Sequence, residues 1–233
     1  MQRTWELEVC VDRVDDAVRA VEAGATRIEF NQALALDGLT PDLEECRWLV
    51  HNISAPIVAM LRPHAEGFHY TALEQACLLR TCYQLMECGV AGIAFGAVDN
   101  EEELDWSLLE QIRKRSPGRE LVLHRVVDTL PSRLELLPRL IDLGVDRVLT
   151  SGGATRAIDG IQELDAMQKA AGEQLDILVG AGVDCEIVKD FVASTCCRQF
   201  HGSFRQGASR PNSIEIAATA AFLESQEIDS KPA

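Results

Sequence analysis

The sequence predicts an α/β protein built as a single (β/α)8 barrel of the TIM type. Three observations carry this expectation. Short apolar runs alternate with helical patterns eight times over 233 residues, without a composition break that would mark a linker. The runs are short and bounded by Gly, Pro or polar clusters, as strands of a parallel sheet are. Polar and glycine-rich residues follow the strands, at the ends where such barrels carry their sites. A doubly wound open sheet is the alternative; it usually uses fewer units and leaves two edges.

The stretch Glu120 to Gly153 shows the repeating unit. Leu121-Val122-Leu123 reads as a buried strand ending in His124, Arg125 and Asp128. Leu134 to Leu143 has helical spacing and stops at Gly144. Val145 to Leu149 is the next strand, ending in Thr150-Ser151-Gly152-Gly153. The first strand, Glu6 to Cys10, alternates: Leu7 and Val9 on one face, Glu6, Glu8 and Cys10 on the other. Arg27 to Asn31 repeats this, with Ile28 and Phe30 opposite Arg27, Glu29 and Asn31. Asp12 is expected to cap the first helix, and Thr40, with Pro41 at the first helical position, the second. The other strands are expected at Ile57–Leu61, Ala91–Phe95, Leu175–Val179 and Arg198–His201, and the other helices at Thr71–Cys88, Leu104–Arg115, Ile158–Ala171, Asp184–Val192 and Ile214–Ser225, followed by frayed residues.

Composition excludes some classes of function. A net charge of −15 argues against nucleic-acid binding, which needs a basic footprint. No stretch approaches the roughly 20 apolar residues of a membrane span. Residues 1 to 10 lack a basic region followed by an apolar run, so no signal peptide is expected. The eight cysteines, Cys10, Cys46, Cys77, Cys82, Cys88, Cys185, Cys196 and Cys197, are then reduced thiols, and the absence of a CxxC pair argues against structural zinc.

On a barrel, the charged alternates must face the interior or its mouth. Glu8 and Glu29 on adjacent strands would repel unless Arg62, His124 or Arg125 stands between them. Two carboxylates with a His and an Arg are the equipment of acid–base chemistry. Glu8, Glu29, Arg62, His124, Arg125 and Asp128 are therefore the candidate catalytic residues, expected to share one mouth, with Glu8, Glu29, Arg62 and His124 in one hydrogen-bonded constellation. The late glycine tips offer free N–H groups for an anion, which makes Ser151, Gly152, Gly180, Gly182, Gly202 and Ser203 the candidate anion-binding residues. The bland alternatives are a charge-balanced interior that only fills the barrel, and glycines that only permit tight turns.

The motifs LEVC (7–10), GATRIEF (24–30), DGLTP (37–41), LRP (61–63), GIAFGAV (92–98), LHRVVD (123–128), RVLTSGG (147–153) and VGAGV (179–183) resemble the CutC family, the copper homeostasis proteins, over about residues 5 to 207. The resemblance implies a TIM-type barrel, a cytosolic protein, self-association into a homo-oligomer, and copper binding. Cys10 matches a family cysteine and is the candidate metal ligand. The second family cysteine is Asn31 here, and an amide oxygen is a poor ligand for soft Cu(I), so a site built on Cys10 and position 31 is expected to be weak. His64 or His69 is a candidate replacement ligand. Two functions follow: Cu(I) handling through Cys10, or, as the alternative, a barrel enzyme acting on a small anionic or phosphorylated metabolite. In the second, Glu8 or Glu29 would be the base, His124 the acid or electrophile, and Arg62 or Arg125 the anion clamp. A scaffold without a working site is a third reading.

Overall fold

A computed structural model describes residues 5–229, with side chains to residue 226. Eight strands alternate with eight α-helices: β1 (Glu6–Val11), α1 (Val14–Glu22), β2 (Arg27–Phe30), α2 (Leu43–Asn52), β3 (Ile57–Met60), α3 (Ala72–Cys88), β4 (Gly92–Phe95), α4 (Trp106–Arg115), β5 (Glu120–Leu123), α5 (Arg133–Leu143), β6 (Arg147–Thr150), α6 (Ile161–Ala171), β7 (Asp176–Val179), α7 (Cys185–Ser194), β8 (Gln199–Gly202) and α8 (Ser213–Asp229). Every strand pairs in parallel with its neighbours in sequence, and β8 returns to β1. The barrel is therefore closed, as the unbroken alternation predicts. The last helix runs on to Asp229, past the expected end at Ser225, so residues 226–229 are helical and not frayed; residues 230–233 lie outside the described residues.

Local sequence sets most helix ends. Thr71 and Glu74 form a reciprocal capping box before α3, and Gly89 ends that helix in the left-handed conformation. Asp105 and Asp184 cap α4 and α7 through their side chains. Two expected caps differ. Asp42, not Thr40, caps α2 by accepting from the N–H groups of Glu44 and Glu45. Thr40 instead exchanges hydrogen bonds with the Arg62 backbone. The residue at the N-terminus of α1 is Arg13, because the Asp12 carboxylate is taken up by the Leu34 N–H and Arg205 in the loops after the neighbouring strands β2 and β8.

Period-2 alternation divides each strand between two cores. Leu7, Val9, Ile28, Phe30, Ile57, Phe95, Leu123, Val148, Ile177 and Phe200 pack outward against the helices. The inward alternates of β3 to β7, Val58, Met60, Ala94, Val122, Leu149 and Leu178, form a separate apolar cluster inside the barrel. The inward alternates of β1, β2 and β8 are Glu6, Glu8, Cys10, Arg27, Glu29, Gln199 and His201. Above a bottom layer in which Glu120, Arg147 and Asp176 also face inward, the interior is thus apolar on the β3–β7 side and charged along the β8–β1–β2 seam.

At the bottom, Gly92 stands between Val58 and Glu120 in the register. A Cβ there would meet Glu120 Cβ at 2.7 Å and its carbonyl oxygen at 2.8 Å. Gly92→Ala is expected to cost about 1–3 kcal/mol through backbone displacement. Urea unfolding measures it, and an unchanged midpoint would contradict this packing.

Candidate functional site

The site begins with register. Glu8 lies opposite Arg27 on one side and His201 on the other, and Cys10 lies opposite Glu29. Glu8 Oε2 accepts from Arg27 Nε at 2.5 Å, and Glu8 Oε1 pairs with His201 Nδ1 at 2.7 Å. Both Glu8 and Arg27 are 1% exposed, so this is a buried ion network. Below it, Arg27 Nη2 reaches Gln199 Oε1 at 3.4 Å, which also accepts from Arg147 Nε at 2.6 Å, while Gln199 Nε2 donates to Asp176. Arg147 pairs with Glu120 at 2.5 Å. This polar floor closes the bottom of the barrel.

Environment separates the two glutamates. Burial pushes the Glu8 carboxyl up, but Arg27 and His201 outweigh it and hold Glu8 at about 2. Glu29 has no such partner: burial and the negative charge of Glu8 raise it, against the pull of His201. Burial also opposes charge on His201, yet Cys10, Glu29 and Glu8 together lift its pKa well above the ordinary histidine value. Asn31 Nδ2 donates to Glu29 Oε2 at 2.8 Å. Glu29 Oε1 is buried and without a hydrogen-bond partner.

Cys10, Glu29 and His201 each bring one donor atom within 4.8 Å of the other two, and all three are buried. A thiol, a carboxylate and an imidazole so placed can hold a metal ion. His201 was visible in the sequence as a strand-tip residue but was not singled out as a site residue. Its signal was the alternation of β8, which puts Gln199 and His201 on one face.

Several expectations need correction. Arg62, His124 and Arg125 do not neutralise the glutamates; Arg27 and His201 pair with Glu8 alone, because the register offsets β1 and β2 by two residues and sets Cys10, not Glu8, beside Glu29. The four-residue constellation does not form: among the described residues no hydrogen bond joins Glu8 or Glu29 to Arg62 or His124. Arg62 Nη1 instead donates to the carbonyls of Leu36, Asp37 and Gly38, and Nη2 to Ala65, with the guanidinium 4.9 Å from the Phe68 ring centre. His124 packs against Phe68, ring centres 5.0 Å apart. Burial, with Arg62 nearby, pushes His124 down to about 3, so the ring is neutral. His64 is engaged by Glu74 and His69 by Asn100, and neither belongs to the Cys10 group.

The sixth-strand tip holds an anion already, and the anion is Asp128. Its carboxylate accepts from Thr150 Oγ1 (2.5 Å), Ser151 N and Oγ (3.1 and 3.0 Å), Gly153 N (3.1 Å) and Arg125 Nε (2.8 Å). Gly152 N is spent on Thr150 Oγ1. Ser151, Gly152 and Arg125 are thus committed within the chain. Gly180 donates its N–H to Thr150 O, and a Cβ there would meet Leu149 at 2.5 Å, so this glycine makes room within the barrel. Gly202 is crowded by Phe204 and the Val183 carbonyl. Gly182 is left-handed (φ 71°) beside Arg156, and Ser203 is half-buried.

Fold and site together define a TIM barrel with a buried thiol–imidazole–carboxylate group in its mouth. The CutC family model matches residues 5–206, and the chain belongs to the CutC family. Relatives include a family protein CutC of Caulobacter vibrioides, 37% identical over 200 residues (85% of this chain, 80% of the relative), and one of Treponema denticola, 34% identical over 196 residues (84% and 80%). A solved CutC from Streptococcus agalactiae, described as a candidate copper homeostasis protein, superposes with a TM-score of 0.81 at 25% identity, covering 86% of this chain and 99% of that one.

Arg27→Met leaves Glu8 buried with only His201, and should cost about 3–5 kcal/mol. Adding Glu8→Gln to that variant should recover part of the loss; chemical denaturation of both proteins checks the pair. His124 gives a pH expectation. Its folded pKa is depressed from 6.5 to about 3, so the unfolded chain takes up a proton that the folded one refuses. Stability is then lost as pH falls below about 6.5, at up to about 1.4 kcal/mol per unit. His124→Asn should flatten that slope between pH 6.5 and 4.5 in urea midpoints; an identical slope in both proteins would refute it.

Proposed function

We propose that this CutC-family chain binds a soft metal ion, Cu(I), in the barrel mouth, with Cys10 and His201 as ligands and Glu29 as a third donor. One observation carries the reading: Cys10, Glu29 and His201 each bring a donor atom within 4.8 Å of the others, and His201 is held at Nδ1 by the buried Glu8 carboxylate, which leaves Nε2 to a metal that displaces its proton. A ligating histidine whose other nitrogen is fixed by a carboxylate is a recurrent arrangement around metals. The unpartnered Glu29 Oε1 fits the same role. A thiolate and an imidazole suit Cu(I), and burial restricts water at the ion. The copper homeostasis role described for the S. agalactiae protein points the same way.

The reading moves the site away from position 31. Asn31 supports Glu29 through its amide instead of replacing a thiolate. All eight cysteines are free, and a reducing cytoplasm would keep Cys10 so. Among the described residues no helix is long and apolar enough to cross a membrane.

Titration against a competing Cu(I) chelator tests the proposal. One equivalent should be retained by the unmodified protein and lost in Cys10→Ser. Glu8→Gln should weaken binding by about 10–100-fold, the usual cost of removing such a support. No retained copper, or retention unchanged by Cys10→Ser, overturns the reading.

A further inference from the structure

The mouth carries a second pair of buried polar groups, each with one nitrogen that neither the metal reading nor the fold uses. Arg62 is 6% exposed and His124 3% exposed. The two ηs of Arg62 are committed to loop carbonyls, but Nε is buried without a hydrogen-bond partner. His124 Nε2 is likewise buried and unpartnered. Its other nitrogen, Nδ1, accepts from the Val126 N–H at 3.2 Å. A neutral ring that accepts at Nδ1 carries its proton on Nε2, so that atom is a donor. Leaving a buried donor unpaired is costly, and two at one mouth ask for an acceptor.

The surroundings narrow what that acceptor is. Phe68 lies against both groups, 4.9 Å from the guanidinium carbon and 5.0 Å from the imidazole centre. It offers an apolar surface shared by the two donors. Tyr70, whose hydroxyl is buried, stands close enough to the guanidinium to feel both its charge and a side-chain hydrogen bond from it, though outside ordinary hydrogen-bond geometry. Arg62 brings one positive charge, His124 brings none, and Glu29 stands on the neighbouring strand β2. That balance suits one negative charge shared over two oxygens and disfavours a dianion. Gly96 supplies the room for the imidazole: a Cβ there would lie 2.8 Å from His124 Nδ1 and Cε1.

We propose that Arg62 Nε and His124 Nε2 form a binding site for a small monocarboxylate, whose oxygens accept from the two N–H groups while its carbon body rests on Phe68. The site is separate from the metal reading, since none of its donors belongs to the Cys10 group. Arg62 acts twice, fastening the loops at residues 36–38 and 65 with its η nitrogens and presenting Nε to the ligand.

The test is calorimetric titration of the metal-free protein with acetate, pyruvate and lactate, with inorganic phosphate and acetamide as contrasts. Nitrogen-15 spectra of the imidazoles are recorded in parallel. At least one carboxylate should bind saturably and shift the His124 Nε2 resonance, and phosphate and acetamide should bind more weakly. His124→Asn keeps an acceptor for the Val126 N–H and removes the Nε2 donor; it should weaken carboxylate binding about tenfold, the worth of one hydrogen bond to a charged group. Arg62→Lys should do the same, and if that variant unfolds because the loops lose their clamp, His124→Asn still decides. No saturable carboxylate binding, binding that leaves Nε2 unmoved or His124→Asn unaffected, or tighter binding of phosphate would each overturn the proposal. Because metal is absent throughout, the outcome is independent of whether Cys10 and His201 hold copper.

Discussion

The Glu8 carboxylate is the constraint on which the rest of this barrel depends. It sits at the seam where the first and last strands meet, 193 residues apart in sequence from His201. A lone buried carboxylate is untenable at this depth. Glu8 is tolerable because β2 delivers Arg27 to one oxygen and β8 delivers His201 to the other. Both partners arrive only if the two neighbouring strands pair in one register. A slip of one residue would turn Arg27 or His201 toward the helices and strand the charge. Such networks add little net stability over an apolar filling, yet breaking one is expensive. Here the expense falls on misregistered closure, so the network specifies how the barrel shuts.

The same network decides where chemistry can occur. Above the floor, five consecutive strands line their side of the interior with Val, Met, Ala and Leu, which offer nothing to a ligand. The three seam strands carry all the titratable inward groups that reach the Cys10 level. Arg27 and Glu8 form a base that orients His201, Asn31 steadies Glu29, and Cys10 completes the group above them. Polarity is thus graded along the barrel axis, from a neutralised floor of Arg27, Gln199, Arg147 and Glu120 to donors with unspent capacity at the mouth.

Asp128 shows how a generic feature of the fold can be consumed internally. Loops after the late strands of such barrels commonly cradle a phosphate with backbone N–H groups. In this chain the sixth-strand loop has that character, with Thr150, Ser151 and Gly153 donating to one anion. The anion is supplied by the turn after β5, so the loop is rigid and satisfied. The groups at this end with unspent donors, Arg62 Nε and His124 Nε2, stand beyond the ends of β3 and β5.

Sequence alone determined the architecture. Eight apolar runs with helical segments between them leave a closed barrel as the simplest way to bury every run, and the alternation in Glu6–Cys10 and Arg27–Asn31 marked which residues face inward. Which inward residues touch was decided by tertiary structure. Alternation fixes the face of each side chain but not the offset between strands, and an offset of two residues exchanged the expected Glu8–Glu29 pair for Glu8–Arg27 and Cys10–Glu29. Closure, which no local pattern encodes, brought His201 to Glu8 and Cys10. Loop residues were the least legible, because Arg62, Asp12 and Asp128 find partners through chain paths that depend on where the rest of the barrel has already placed them.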